Sequence, residues 1–367
     1  MNDPEHIPDT SPLRIPFRVN FVMLSLEGWR DVAEAAECPD PDAMPQRIRP
    51  VDAIWIAQSY MRLKRRGQDV RLTDRFVPGE VCVALGAMRT SRQPFRSFAI
   101  AAQTHLFKAR ICDCNIVQNR ELLERSNEFF MIHWPQPGLI RRDPARGSRI
   151  ERIGYLGDEA LSGQLTDAAF LRQLDKLGMT LVRPEQWYDY HDIDVALAVR
   201  NVPPSYTRFK PPSKLINAWA AGCPALVGPE QAFAALRRSP LDYFQVTSPR
   251  DVLAALNRLR SEPGLYETMA ANGLERMRDF TADAVARRWE ELLAGPIAAR
   301  YRRWLAGPRA WRAARNAVRF AGRIVQNQRA IRAVERFNRE LKSTGYDWGK
   351  AGGASMPPEP LAAAALS

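Results

Sequence analysis

Residues 209–230, which read FKPPSKLINAWAAGCPALVGPE, predict a short helix placed between two strands. The two prolines at 211–212 stop the preceding segment, and Ser213 follows as a candidate N-cap. Residues 214–221 give two helical turns, which a glycine ends, and an apolar strand follows at 225–227. Since VALAVR immediately upstream is also strand-like, the order is strand, helix, strand. This order is typical of an α/β protein.

The same alternation extends in both directions from this segment. Short apolar runs predict strands, and stretches with apolar residues at helical spacing predict helices between them. Prolines, glycines and charges cluster between Pro135 and Ser148, which indicates a linker between two domains. The predicted organisation is a flexible lead (1–15), an N-terminal α/β domain (16–140), a second α/β domain (148–294), a basic helical segment (295–345) and a disordered tail (346–367).

Composition excludes several classes of protein. With 367 residues, of which 46% are hydrophobic, the chain can bury two ordinary cores, and no apolar run approaches the length of a membrane-spanning helix. The N-terminus lacks the basic and apolar regions of a secretory signal. Five cysteines form no zinc-type pattern, because the CxC at 112–114 near His105 has no second ligand pair. We therefore expect a cytoplasmic protein without a metal site.

The net charge of +12 is concentrated near the C-terminus. Residues 300–342 contain thirteen Lys or Arg against Glu335 and Glu340, which leaves +11 in this segment. Helical spacing places four arginines on one face and small or apolar residues on the other: Arg312, Arg315, Arg319 and Arg323 against Ala314, Ala317, Ala321, Ile324 and Val325. This pattern predicts an amphipathic helix.

Two interpretations of this helix remain open. It fits the surface of an anionic bilayer, where arginines meet phosphates and the apolar side enters the interface; the protein would then be peripheral on the inner face of the membrane. It equally fits a terminal helix packed on the body with a solvated basic face. No nucleic-acid-binding module accompanies the charge, so no nucleic-acid partner is expected.

Hydride transfer, P-loop phosphoryl transfer, zinc proteolysis and serine hydrolysis lack their motifs in this sequence. The strongest remaining candidate site is the start of the helix at Ser213. A helix N-terminus favours a phosphate, and Lys214 adds a full charge there. Asn217 shares the face of Lys214, and Arg200 ends the preceding strand. The alternative is that Ser213 only caps, Lys214 is solvated and Asn217 lies on the surface.

Residues 209–230, with DIDVALAVRN (192–201) before them and SPRDVLAALNRLRSEPGLYETMAANGLERMRDFT (248–281) after them, resemble the C-terminal domain of GT-B glycosyltransferases. The resemblance covers about residues 148–294. It implies two Rossmann-like domains that face a cleft, with a nucleotide-sugar donor held by the second and an acceptor by the first. It also implies that no metal ion or further cofactor is needed.

The resemblance assigns roles to individual residues. Arg200, Ser213 and Lys214 would bind the donor diphosphate, with Lys210 in the same donor-binding set, and Asn217 and Glu230 would contact the ribose or sugar. One family feature is missing: the two glutamates that many retaining members carry correspond here to Phe209 and Asn217. The catalytic base is unknown, and the weak candidates are His105 and His133.

Two functions follow as hypotheses. The first is a glycosyltransferase that moves a sugar from a nucleotide-sugar to a glycan or lipid-linked acceptor. The second is a non-catalytic GT-B-like protein that binds a membrane surface or a partner through its basic C-terminal helix. Asp192 and Asp194 resemble a metal-binding DxD pair, but they directly precede a strand, and we interpret them as turn residues.

Overall fold

The computed structural model describes residues 11–86, 96–103, 112–157, 162–201 and 207–308, most residues of 310–322, and single residues at 325, 328 and 332. Residues 1–10, His105, Arg312, Arg323 and the tail 346–367 lie outside the described residues.

Eleven strands occur in the described chain, and they form two sheets in which every pairing is parallel. Their bounds are β1 Val19–Val22, β2 Val70–Thr73, β3 Val81–Leu85, β4 Phe98–Ala102, β5 Cys114–Val117, β6 Glu128–Phe130, β7 Arg152–Tyr155, β8 Thr180–Val182, β9 Val195–Ala198, β10 Ala225–Val227 and β11 Phe244–Gln245.

The helices fill the connections between strands. In chain order they are α1 Arg30–Glu34, α2 Gln58–Arg65, α3 Ala168–Lys176, α4 Ser213–Ala221, α5 Gln231–Ala234, α6 Pro249–Ser261, α7 Leu265–Met277, α8 Ala282–Leu292 and α9 Ala298–Ala306. Turns of π-helix, Ala53–Ala57 and Leu293–Ile297, lead into α2 and α9. Turns of 3-10 helix occur at Pro41–Ala43, Arg120–Leu122, Pro144–Arg146, Gly163–Thr166 and Arg278–Phe280.

Contacts divide the described chain into two compact units. Unit 1 contains the residues up to Trp134 together with those from Ala282 onward, and unit 2 contains Pro135–Thr281. The sheet of unit 1 has the order β2-β1-β3-β4-β5-β6, and that of unit 2 the order β8-β7-β9-β10-β11. The predicted class, α/β with two Rossmann-like domains, is confirmed.

Parallel strands that are covered on both faces are expected to be apolar throughout, and the central strands here follow this rule. All four residues of β1, β5 and β9 are buried. The strand β5 was not expected from the sequence, because its four residues, CNIV, include a cysteine and an asparagine. Asn115 is nevertheless buried, on the strand that lies between β4 and the edge strand β6.

Helix α8 packs in unit 1, although the sequence pattern placed it in the second domain. Trp289 is fully buried, and its ring lies edge-on to Phe21 and Trp55. Glu290 is also fully buried and accepts hydrogen bonds from the Arg66 guanidinium at 2.8 and 3.0 Å. Helical periodicity shows which side of α8 is apolar, but it cannot show which core that side enters.

Residues 11–15 correct the prediction of a flexible lead. The backbone N–H of Leu13 donates to Glu290, and that of Ile15 donates to the side chain of Gln68. Ile15 is buried. After α8 the chain continues through a π-helical turn, which contains Pro296, into α9.

Candidate functional site

The carboxyl edge of the sheet in unit 2 is the part of that fold where a ligand is expected. Strand β7 lies between β8 and β9, so the connections after β7 and β9 leave the sheet in opposite directions. Ligands of open α/β sheets bind outside the carboxyl ends of the strands at such a switch point. The segments that follow β7 and β9 therefore define the candidate site.

A small pocket with a cavity volume of about 40 Å³ opens at this edge. Its walls come from the segments that follow β7, β9 and β11, and the N-terminus of α6 closes one side. None of the described residues that line it carries an ionisable side chain: Ser162, Gln164, Leu165, Val199, Asn201, Val246, Thr247, Ser248, Pro249 and Val252. Apolar walls with a few neutral polar groups suit contact with the edge of a flat, uncharged ring.

Close packing shapes the pocket rim. The hydroxyl of Tyr155, at the end of β7, donates to the carbonyl of Val199 after β9. Gly163 has φ +55°, and a Cβ there would lie 2.5 Å from the side-chain nitrogen of Asn201. Ser248 caps α6 by accepting a hydrogen bond from the backbone N–H of Asp251.

Arg200 follows β9 directly, and the structure pairs it with Glu230. One guanidinium nitrogen of Arg200 lies 2.5 and 2.6 Å from the two carboxylate oxygens of Glu230. Both side chains are buried, and Glu230 is the residue before α5. The structure thus brings together two residues that the sequence analysis had placed on different parts of the donor.

Helix α4 begins at Ser213, and the residue in the N-cap position is Pro212. No side chain caps this end, so the prediction that Ser213 acts as the N-cap is wrong by one residue. Proline stops the incoming segment and leaves Ser213 inside the first turn. Gly222 ends the helix at φ +75°, as predicted. Lys210 and Lys214 are both half-buried.

Asn217 lies inside unit 2 and not on its surface. It is 9% exposed, and its side-chain oxygen accepts a hydrogen bond from the backbone N–H of Gln136 at 3.3 Å. It also hydrogen-bonds to the buried Tyr190 hydroxyl. These contacts tie α4 to the start of unit 2, while the contact of Asn217 with a ribose stays a prediction.

The carboxylates of Asp192 and Asp194 both form ion pairs with arginines. Asp194 is fully buried and accepts hydrogen bonds from Arg142 at 2.8 Å and from Arg146 at 2.7 Å. Burial by itself would raise its pKa, but these bonds, with those from the backbone N–H groups of Glu151 and Arg152, lower the pKa to about 2. Asp192 pairs with Arg152 at 2.6 Å.

Of the two histidines proposed as catalytic candidates, His133 is described and lies in unit 1, just after β6. Its Nδ1 is 2.8 Å from the carbonyl oxygen of Trp134, which makes Nδ1 the protonated nitrogen and leaves Nε2 as the acceptor. Burial lowers the pKa of His133, so the ring is neutral at neutral pH. A role as base stays a prediction.

The basic C-terminal helix has an orientation that neither interpretation anticipated. Its described residues between 310 and 332 are helical, and Arg315 and Arg319 lie 2.8 and 2.9 Å from the carboxylate of Asp113 in unit 1. These two arginines were expected to face lipid or solvent, and the structure corrects this. Asp113 lies just before β5 and is almost fully buried, so it attracts the charges inward.

Metal-ligand clusters and membrane-spanning helices are both absent from the described residues. No group of three or more His, Cys, Asp or Glu side chains that could hold a metal ion occurs among them. Within the same part of the chain, no helix combines the length and the apolar character needed to cross a membrane.

The pocket residues Gln164, Thr247 and Ser248 were missed from the sequence. The available signal was the Ser-Pro-x-Asp start of α6, which shows a capped helix but not a lining role. These residues meet only because β7, β9 and β11 end at one edge of the sheet.

Three solved structures are similar to this chain. Sucrose-phosphate synthase from Thermosynechococcus elongatus is similar with a TM-score of 0.53 at 13% identity over 77% of this chain and 100% of that one. HepE from Anabaena, solved with UDP and glucose, has a TM-score of 0.46 at 11% identity over 76% and 99%. AviGT4, a glycosyltransferase of avilamycin A biosynthesis, has 0.46 at 13% over 80% and 99%.

No protein-family model matches the chain, and no curated protein matches it by sequence. The structural likeness shows that the chain has the fold of GT-B glycosyltransferases.

Proposed function

We propose that this protein transfers a sugar from a nucleotide-sugar donor to a glycan or lipid-linked acceptor, and that unit 2 holds the donor. The observation that carries the proposal is the neutral pocket at the switch point of the second sheet. The base of the nucleotide would lie at the mouth of this pocket, beside the segments that follow β7, β9 and β11.

The diphosphate of the donor would lie beside Arg200 and the N-terminus of α4. Arg200 neighbours two pocket-lining residues in the chain, Val199 and Asn201. Ser213 and Lys214 stand in the first turn of α4, where backbone N–H groups and the helix dipole favour a phosphate. As the bond between sugar and diphosphate breaks, negative charge grows on the leaving phosphate, and fixed cations stabilise it.

Glu230 acts in this proposal as a positioning residue. It holds the Arg200 guanidinium at the carboxyl edge of the sheet, on the side of β10. A side chain that is fixed before the ligand arrives loses little entropy on binding. Contact of Glu230 with the sugar, catalysis without a metal ion and the absence of a further cofactor stay predictions.

A non-catalytic role is the second candidate. It is favoured by the pairing of Arg200 with Glu230, which neutralises one of the three proposed phosphate ligands, and by the absence of the two family glutamates. Nucleotide binding separates the two functions more directly than a transfer assay, because the acceptor is not identified.

The test is a calorimetric titration of the protein with UDP, GDP, CMP and dTDP. We expect one nucleotide to bind selectively and Lys214→Ala to weaken that binding at least about tenfold, because a charge-assisted contact contributes about 1.5–3 kcal/mol. The matched control is Lys176→Ala at the exposed end of α3, which should leave binding unchanged. Absence of binding to all four nucleotides would favour the non-catalytic role.

A further inference from the structure

The C-terminal helix presents its apolar side outward. Two arginines of its basic side contact the rest of unit 1: Arg315 and Arg319 share one carboxylate oxygen of Asp113, and Arg319 also donates to the carbonyl of Cys112. These two arginines are the half-buried members of the described residues from 310 onward, and the rest of that set is exposed. The helix is therefore attached to the protein by charge.

The exposed side forms an apolar strip along the helix. Trp311, Val318 and Val325 are 63%, 73% and 48% exposed and recur every seven residues, with exposed alanines at 314 and 321 between them. Since a helix rises about 1.5 Å per residue, this strip is about 20 Å long. Leu305, at the end of α9, is 46% exposed as well. Soluble proteins rarely leave large side chains aligned in this way without a partner.

We propose that this strip is a docking surface for an anionic lipid bilayer. The helix would lie in the plane of the interface with the strip in the acyl region. Trp311 is suited to the level of the headgroups, because it stands beside the basic side of the helix, with the Arg315 guanidinium 5.7 Å from its ring centre. The arginines that hold the helix on Asp113 orient the strip toward the membrane.

Charge favours a bilayer over a second copy of the chain. Residues 300–342 carry +11, and Arg302, Arg303 and Arg332 are exposed. Two copies paired along the strip would bring two such segments together, and like charges at short range repel. An anionic surface attracts the same charges.

The experiment is co-sedimentation of the full chain with vesicles of phosphatidylcholine alone or with about 30% phosphatidylglycerol, at low and high salt. The variant is Val318→Asn with Val325→Asn; asparagine and valine have similar helix propensities, so the helix should persist. The matched control is Leu24→Asn, which alters a side chain that is 69% exposed elsewhere in unit 1.

We expect the wild-type chain and Leu24→Asn to bind the anionic vesicles, and the double variant to bind at least about tenfold more weakly, because each valine loses about 1 kcal/mol of burial. Equal binding of the double variant, with complete release at high salt, would overturn the proposal, since charge alone would then explain the attachment. A wild-type dimer in light scattering that the double variant abolishes, without vesicle binding, would overturn it in favour of a second copy.

Discussion

Arg200 and Glu230 form a buried ion pair, and the cost of breaking such a pair exceeds its net contribution to stability. Removal of one partner leaves the other as an uncompensated charge. Their side chains are 10% and 1% exposed, so little water can replace the lost partner.

We expect Arg200→Met to lower the free energy of unfolding by about 3 kcal/mol, because the carboxylate of Glu230 stays buried. Replacement of both residues by methionine should recover part of this loss. Urea denaturation of both single variants and the double variant measures the coupling. Additive effects within about 0.5 kcal/mol would show that the two charges do not stabilise each other.

The ionisation of Asp194 makes the stability of unit 2 depend on pH. Its pKa is about 2 in the folded protein, against an ordinary value of 3.8. The unfolded chain therefore takes up the proton first as the pH falls. The resulting contribution, about 2 kcal/mol, is complete above pH 4 to 5 and is lost as the pH approaches 2.

We expect Asp194→Asn to be less stable than the wild type at neutral pH and to lose less stability between pH 5 and 3, where this carboxylate titrates. Thermal unfolding followed by circular dichroism over that range measures both effects. Asp192→Asn is the control, since the Asp192 side chain is 49% exposed and its pair with Arg152 contributes little. A parallel pH dependence of Asp194→Asn and wild type would contradict this account.

At the scale of elements, α4 and α7 cross at a glycine. Gly273 is buried in α7, and a Cβ there would lie 2.9 Å from Cδ1 of Trp219 and 3.3 Å from its Cα. Trp219 is itself buried and donates a hydrogen bond from its indole to the carbonyl of Asp242, which leaves its ring little freedom to move.

We expect Gly273→Ala to destabilise the protein by about 1–2 kcal/mol. Alanine improves helix propensity by about 1 kcal/mol, but overpacking against a fixed tryptophan and a backbone atom costs more. Gly295→Ala is the control, because no atom lies within 4 Å of the position a Cβ would take, and it should be neutral or stabilising. Chemical denaturation of both variants measures the change in the free energy of unfolding. A stabilised Gly273→Ala would contradict this account, because it would show that α4 and α7 can separate at no cost.

At the scale of the whole molecule, the chain returns to unit 1 after completing unit 2. Several side chains from the returning segment are fully buried there, among them those of Trp289, Leu293 and Ile297. The Glu290 carboxylate also accepts from Gln68, so the returning segment supplies polar contacts to the same core. Unit 1 is therefore complete only when residues beyond 281 are present.

We expect a chain that ends at Thr281 to lose the cooperative unfolding of unit 1, because burial of each large apolar side chain contributes about 2 kcal/mol to a total of about 5–15. A chain that ends at Pro308 keeps α8 and α9 and should unfold within about 2 kcal/mol of the wild type. Calorimetry of the two chains tests this. A native-like transition in the shorter chain would show that the returning segment is dispensable.

Local patterns were enough to predict most elements, since a few consecutive residues determine a strand between two turns. The helix at 213–221 with its glycine end and the strand β10 after it both follow from spacing and composition. The segment at 209–230 indicated the fold class for the same reason. Its order of strand, helix and strand restricts the topology to a few possibilities.

Tertiary structure decided what each side of an element meets. Periodicity identified a basic and an apolar side on the C-terminal helix, but only the position of Asp113 turned the basic side inward. The pairing of Arg200 with Glu230 and the pocket at the sheet edge likewise join residues that are distant in sequence. Sequence determines the local conformation and the polarity of each surface, because both depend on near neighbours. Packing assigns the partners, because these depend on how distant segments approach one another.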